Sequence, residues 1–324
     1  MRGVFLDSDT LKPDELDPAT LEHSGPDWTF YGHTRPQEVA ERIADAQVVI
    51  TNKVVLDRER IENAESLRLI CVAATGTNNV DLDAAREAGI PVSNVTGYAT
   101  ASVAQHTLAL ILGLATRWHQ YNADVRAGAW SRSHTFALLD HPVVELAGKT
   151  LGIIGHGTLG RAVAQLGRAL GMTVLIGESL APDRASPADR TALTDLLARS
   201  DVVSLHCPQT PETQGLINAD TLARMKPGAF LVNTARGGLV EPHALLDALH
   251  RGHLGGAALD VLEQEPPPAD HLLLNADLPN LIITPHNAWV SRDCRQRLLD
   301  GVAENVRAWA EGGLRNCVNG LESA

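Results

Sequence analysis

The chain has 324 residues, of which 44% are hydrophobic, with 27 Lys and Arg set against 39 Asp and Glu for a formal charge of −12. The length suggests two domains, and the apolar content is ample for buried cores, which excludes a disordered chain. The acidic balance argues against a nucleic-acid partner, which calls for clustered Lys and Arg.

In chain order, residues 4–6 form a short apolar strand ending in Asp7, too early a charge for a signal peptide. Residues 36–46 have helical spacing, with Val39, Ile43 and Ala46 on one face. Residues 48–50 form a strand with Thr51, Asn52 and Lys53 at its carboxyl end. A helix over 56–64, a strand over 69–73, a helix over 82–88 and a strand over 90–93 follow, with Gly89 stopping the second helix. These βαβ units form a small doubly wound domain. Ligands in open α/β sheets sit outside the carboxyl ends of the strands. That draws attention to Asn52, and to Thr75 and Gly76 after the strand 69–73. Backbone N–H groups beside a glycine suit an anion such as a carboxylate; the alternative is a simple turn.

Residues 100–118 read as a helix that is apolar nearly all round, buried between domains or subunits. Gln105, His106 and Arg117 within it argue against a membrane span. His106 reads as a satisfied core histidine rather than a catalyst. Residues 122–142 read as irregular, and Trp130, Phe136, Leu138 and Leu139 there suggest docking on a second subunit.

Residues 151–154 make a buried strand, and Gly155, Gly157 and Gly160 follow at G-x-G-x-x-G spacing before a helix over 161–171. The first glycine permits a tight turn, the second admits a pyrophosphate, and the third lets helix and strand pack closely. A second strand over 173–176 ends at Glu178, a carboxylate placed to hydrogen-bond an adenosine ribose and repel a 2′-phosphate. The constellation predicts a dinucleotide site favouring NAD over NADP, with Arg184 nearby leaving phosphate tolerance open. Strands over 202–205, 229–233, 256–259 and 281–283 alternate with helices over 190–199, 219–225 and 241–250, predicting a parallel sheet covered on both faces. A closing helix over 292–311 crosses back to the first domain. Four cysteines, Cys71, Cys207, Cys294 and Cys317, lie far apart with no C-x-x-C pair, as in a reduced, cytoplasmic protein without a zinc site; no metal is expected.

Several strand ends carry chemistry. Arg236, after the strand 229–233 and before Gly237 and Gly238, offers a planar fork for a carboxylate, or is a surface arginine paired with one. The two glycines remove side chains that would crowd it. Asp260 either faces the nicotinamide end of a cofactor or caps the following loop. His286 follows another strand, and histidine is the residue type suited to proton transfer near neutrality. Glu265, beside three prolines, is the carboxylate that could fix its tautomer, although spacing alone does not establish that they meet. His206 is the rival histidine.

These motifs together resemble the D-2-hydroxyacid dehydrogenases over nearly the whole chain: G-H-G-T-L-G with Glu178, N-T-A-R-G-G, A-L-D-V-L-E-Q-E-P and T-P-H-N-A-W occur in that family's order. The glycerate dehydrogenases, or hydroxypyruvate reductases, are the most similar branch, although most relatives have glycine where Ala288 stands. The resemblance implies a flavodoxin-like substrate domain, residues 1–98 and 290–324, with a Rossmann domain, residues 99–289, inserted into it. It implies Arg236, His286 and Glu265 as catalytic residues, and Thr75, Gly76 and Asn52 as substrate contacts. NAD would be held by Gly155, His156, Gly157, Thr158, Leu159, Gly160, Glu178, Cys207, Pro208, Thr234, Ala235, Asp260 and Asn287. It further implies a homodimer, with residues 138–141 near the partner's substrate site, no membrane partner, and a 2-oxo or 2-hydroxy acid substrate: hydroxypyruvate, glyoxylate or D-glycerate. The alternatives are another small oxo acid, an oxyanion such as phosphite, or a corepressor-like NADH-sensing interaction protein.

Overall fold

The computed structural model describes residues 1–181 and 187–322, and the chain divides into two compact units, Met1–Ala99 with Trp289–Ala324, and Thr100–Ala288. The first unit runs β1 (Arg2–Phe5), α1 (Ala19–Glu22), β2 (Asp27–Phe30), α2 (Val39–Ile43), β3 (Val48–Thr51), α3 (Arg58–Glu62), β4 (Leu69–Val72), α4 (Leu82–Glu87) and β5 (Val92–Ser93). Its strands are parallel in the order β2-β1-β3-β4-β5. Every residue of β3 and β4 is buried, since helices cover both faces, and that is why they read as unbroken apolar runs. The strand order reverses between β1 and β3. There the Asp7 carboxylate accepts the N–H groups of Asn52, Lys53 and Val54 at 2.8, 2.6 and 3.1 Å. β2 was not foreseen from the sequence: it is an edge strand, exposed at both ends, with no apolar run to mark it.

The second unit contains α5 (Thr100–Thr116), α6 (Trp118–Arg126), β6 (Thr150–Ile154), α7 (Thr158–Ala169), β7 (Thr173–Ile176), α8 (Leu193–Arg199), β8 (Val202–Leu205), α9 (Ala219–Arg224), β9 (Phe230–Asn233), α10 (Pro242–His250), β10 (Gly256–Leu259) and β11 (Leu281–Ile283). Its parallel sheet has the order β11-β10-β9-β8-β6-β7, so the reversal falls between β6 and β8. One core contains Leu205, Leu231, Leu245 and Leu259; a second contains Leu110, Leu114, Ile153, Val163 and Val232, where α5 packs on α7, β9 and β10. Each such side chain contributes about 1.5–3 kcal/mol by leaving water.

The helix expected over 100–118 is two helices. Arg117 takes the left-handed conformation at φ 54°, because its guanidinium is drawn inward to donate to the Gly255 carbonyl at 2.6 Å and to lie 5.8 Å from the Phe230 ring centre. No glycine or proline marks the break, since its cause is tertiary. The segment 122–142 is therefore not wholly irregular: α6 runs to Arg126. The chain closes in the first unit with α11 (Arg292–Ala310), which buries Leu298, Val302 and Val306 with Phe5, Ile50 and Leu69. Among the described residues no helix is long and apolar enough to cross a membrane.

Candidate active site

The carboxyl ends of the second unit's strands carry almost all of the chemistry-bearing residues. After β6, Gly155 has φ 91°, and a β-carbon there would lie 2.4 Å from the Cys207 nitrogen. A β-carbon on Gly160 would lie 2.0 Å from the Gly155 oxygen, so only glycine lets α7 start so close to the strand. Gly157 differs: nothing lies within 4 Å of where its β-carbon would be. It caps α7 without a side-chain hydrogen bond, leaving the N–H groups of the first turn, Thr158, Leu159 and Gly160, without a side-chain cap. That cradle fits a diphosphate at a helix N-terminus. His156, in the turn, is held below the ordinary histidine range by burial and by the nearby guanidinium groups of Arg190, Arg161 and Arg168.

Glu178 is exposed at the end of β7, and its N–H donates to the Thr191 carbonyl at 3.0 Å. Arg184 lies outside the described residues. Beyond β8, burial raises the Cys207 thiol to about 11, so it packs beneath Gly155 rather than reacting; Pro208 beside it is exposed. Burial pushes His206 down to about 4, its Nε2 pairs with Ser204 Oγ at 2.8 Å, and its Nδ1 is buried without a partner. A ring that stays neutral near pH 7 and touches no carboxylate is a poor proton donor. The rival histidine is thereby set aside.

Three neighbouring strands, β9, β10 and β11, are followed by Arg236, Asp260 and His286. The Arg236 turn is built by Asn233, whose side chain accepts from the Ala235 N–H at 3.0 Å and donates to the Arg236 carbonyl at 2.8 Å. Thr234 Oγ1 lies 2.9 Å from Thr107 Oγ1 of α5. The guanidinium donates to the Ala235 carbonyl at 2.7 Å and has no carboxylate partner among the described residues. Gly237 and Gly238 serve a purpose other than clearing space for Arg236. A β-carbon on Gly237 would lie 1.9 Å from the Leu262 carbonyl carbon, and one on Gly238 would lie 2.5 Å from the Gln209 amide. Gly237 thus lets the Arg236 turn close against the segment that carries Glu265, and Gly238 lets it close against Gln209.

Glu265 accepts the Leu262 N–H at 3.0 Å with one oxygen and meets His286 Nδ1 with the other at 2.6 Å. Both side chains remain about one-third exposed. His286 has φ 50°, a left-handed backbone unusual for a residue with a β-carbon. What holds it there is Asp260. The His286 N–H donates to the Asp260 carbonyl at 2.8 Å, while the Asp260 carboxylate accepts the Asn287 and Ala288 N–H groups, each at 3.0 Å. Burial alone would raise that carboxyl. Hydrogen bonds from His106, Thr284 and the two N–H groups outweigh it and lower it below its ordinary value. Asp260 therefore caps the loop. That is one of the two roles its position in the sequence left open; what sequence reasoning missed is that His106 reaches this loop, and the signal was a polar pair, Ser102 and His106, one turn apart in an apolar helix.

In the first unit, Asn52 is buried after β3, and Thr75 and Gly76 follow β4. The Thr75 hydroxyl donates to the Val95 carbonyl at 2.9 Å, and its carbonyl accepts from Asn94 at 2.7 Å. The N–H groups of Thr75 and Gly76 make no hydrogen bond among the described residues.

A parallel sheet with a glycine cradle at its reversal point, and an arginine, an aspartate and a carboxylate-paired histidine after three neighbouring strands, point to the class of nucleotide-dependent oxidoreductases. Comparison with known proteins places the family. Residues 108–288 match the family "D-isomer specific 2-hydroxyacid dehydrogenase, NAD binding domain". The chain is similar to a glycerate dehydrogenase of Methylorubrum extorquens, 42% identical over 97% of this chain and 98% of that protein. It is similar also to a hydroxypyruvate reductase of Blautia hydrogenotrophica, 40% identical over 98% of this chain and 100% of that one. Among solved structures it resembles the TT0316 protein of Thermus thermophilus, with a TM-score of 0.83 and 37% identity over 98% of this chain and 100% of that one. The chain belongs to the D-isomer specific 2-hydroxyacid dehydrogenase family and is an NAD-dependent enzyme of that class.

Proposed function

We propose that this enzyme reduces hydroxypyruvate and glyoxylate and, in reverse, oxidises D-glycerate. The observation that carries the reading is the 2.6 Å pairing of Glu265 with His286, which follows the strand next to the one that precedes Asp260, with the strand that precedes Arg236 next again. The names of the relatives at 42% and 40% identity, a glycerate dehydrogenase and a hydroxypyruvate reductase, support D-glycerate and hydroxypyruvate.

Bound NADH supplies the hydride. Glu265 occupies His286 Nδ1 and fixes the ring, leaving Nε2 to carry the proton that reaches the carbonyl oxygen at C2. Arg236, which has no carboxylate partner among the described residues, grips the substrate carboxylate and polarises the carbonyl. In the first unit, which we assign as the substrate domain, the free N–H groups of Thr75 and Gly76 take a carboxylate, with Asn52 as a further contact. The first turn of α7, with Gly155, His156 and Gly157 before it, binds the pyrophosphate, and Glu178 binds the adenosine ribose. Cys207 and Pro208 line the path between them and the nicotinamide end, which we place at Thr234, Ala235, Asp260 and Asn287.

We read the enzyme as a cytoplasmic homodimer. The aromatic and aliphatic side chains left exposed on and after α6 support the dimer: Trp118, Trp130, Phe136 and Leu139 are 60, 54, 94 and 87% exposed. NADH oxidation followed at 340 nm with hydroxypyruvate, glyoxylate, pyruvate and phosphite tests the assignment. Hydroxypyruvate and glyoxylate should give the highest kcat/KM. A preference for pyruvate or phosphite, or no turnover with any of them, refutes it.

A further inference from the structure

The first two turns of α5 touch both loops that carry the catalytic groups. Ser102 Oγ donates to the Ala288 carbonyl at 2.7 Å, and Thr107 Oγ1 meets Thr234 Oγ1 at 2.9 Å. His106, between them, reaches furthest. Its Nε2 lies 3.1 Å from Thr284 Oγ1 and 3.4 Å from Asp260 Oδ1. The Thr284 hydroxyl donates to Asp260 Oδ1 at 2.5 Å, so its proton is committed there and its oxygen is left to accept. His106 must then carry its proton on Nε2 to serve as the donor. The resulting order is His106 to Thr284 to Asp260, and Asp260 caps the N–H groups of Asn287 and Ala288.

We propose that His106 is a positioning residue: from α5 it fixes the orientation of the Asp260 carboxylate and thereby the left-handed turn that presents His286. Glu265 holds the imidazole by its ring, and His106 acts through the Asp260 carboxylate on the two residues that follow His286. A side chain that merely filled space would need no nitrogen on this face. The rest of the buried face of α5 is apolar or small, with Val103, Ala104, Leu110, Ile111 and Leu114. Asp260 is 1% exposed, so bulk water does not replace a lost donor without rearrangement of the loop. The proposal rests on the reading of His286 as the proton donor.

The test compares wild type, His106→Leu and His106→Gln. Gln offers an N–H donor at similar reach; Leu keeps bulk and removes the donor. Hydrogen–deuterium exchange over residues 285–289 is measured alongside kcat, KM and NADH affinity. In His106→Leu we expect exchange about tenfold faster over that segment. We also expect kcat 10–100-fold lower, as a misplacement of about 1 Å produces, with NADH affinity within twofold of wild type. His106→Gln should recover most of both. Unchanged exchange in His106→Leu overturns the proposal, and so does faster exchange with unchanged kcat. A Gln variant as impaired as the Leu variant also overturns it, since the effect would then be packing. If wild type itself turns over no 2-oxo acid, the functional reading fails instead, and exchange alone decides whether His106 holds the loop.

Discussion

Replacing Asp260 by Asn tests how the structure holds His286 in a conformation it would not adopt unaided. The substitution keeps the shape and removes the charge. In wild type, Oδ1 receives Thr284 and the Asn287 N–H while Oδ2 receives the Ala288 N–H, so both oxygens must accept. An amide has one oxygen, so one backbone N–H is left facing an NH2 group. A buried donor without a partner costs about 1–3 kcal/mol, and a hydrogen bond to a charged group contributes about 1.5–3. With partial relaxation, a loss of about 2–4 kcal/mol is expected, a large share of the roughly 5–15 kcal/mol of a typical protein. Because the Asp260 carboxyl is lowered in the folded state, its contribution is present above the ordinary value of 3.8 and is lost as the pH falls below it. Urea denaturation at pH 7 gives the stability, and the same samples give kcat. The left-handed turn at His286 stores about 1–3 kcal/mol of backbone strain. Once it is free to relax, kcat should fall 10–100-fold, out of proportion to any change in NADH affinity. A stability change under about 0.5 kcal/mol with kcat within twofold would refute the reasoning.

Other consequences can be checked by single variants. His286→Gln should lower kcat by about 10²–10⁴ while NADH affinity, read by fluorescence titration, stays within a few-fold. Gly157→Ala and Gly160→Ala should behave differently. The first places its β-carbon in open space before α7, and should weaken NADH binding with little change in Tm; the second drives a β-carbon to 2.0 Å from the Gly155 oxygen and should lower Tm. Burial holds His206 at about 4 in the folded protein against 6.5 ordinarily, so the unfolded chain takes up this proton first as the pH falls. Stability from this group is complete above pH 6.5 and declines toward pH 4 by up to about 3 kcal/mol. Urea midpoints at pH 7 and 4.5 should show that loss in wild type and much less of it in His206→Gln.

Legibility in the sequence followed local physics. β8 and β10 lie where their short apolar runs place them, because a parallel strand buried on both faces needs no alternation; the edge strands β7 and β11 keep apolar runs although they are only partly buried. β2 failed that criterion because its edge position leaves Asp27 and Phe30 exposed. The break between α5 and α6 was invisible because Arg117 turns for the sake of Gly255 and Phe230, more than a hundred residues away in the chain. The candidate site residues were legible as motifs because each follows a strand end. What holds them was not. The His106 contact and the Gly237 approach to Leu262 join segments that only the folded sheet brings together, and the Asp260 cap stood in the sequence only as one of two alternatives.

The most direct test of the central claim is a crystal structure of the enzyme with NAD and a bound 2-hydroxy acid such as D-glycerate. The account predicts the C2 hydroxyl oxygen within about 2.6–3.2 Å of His286 Nε2, with the acid's carboxylate against the Arg236 guanidinium. A substrate carboxylate seated away from Arg236, or a C2 oxygen served by any group other than His286, would contradict it.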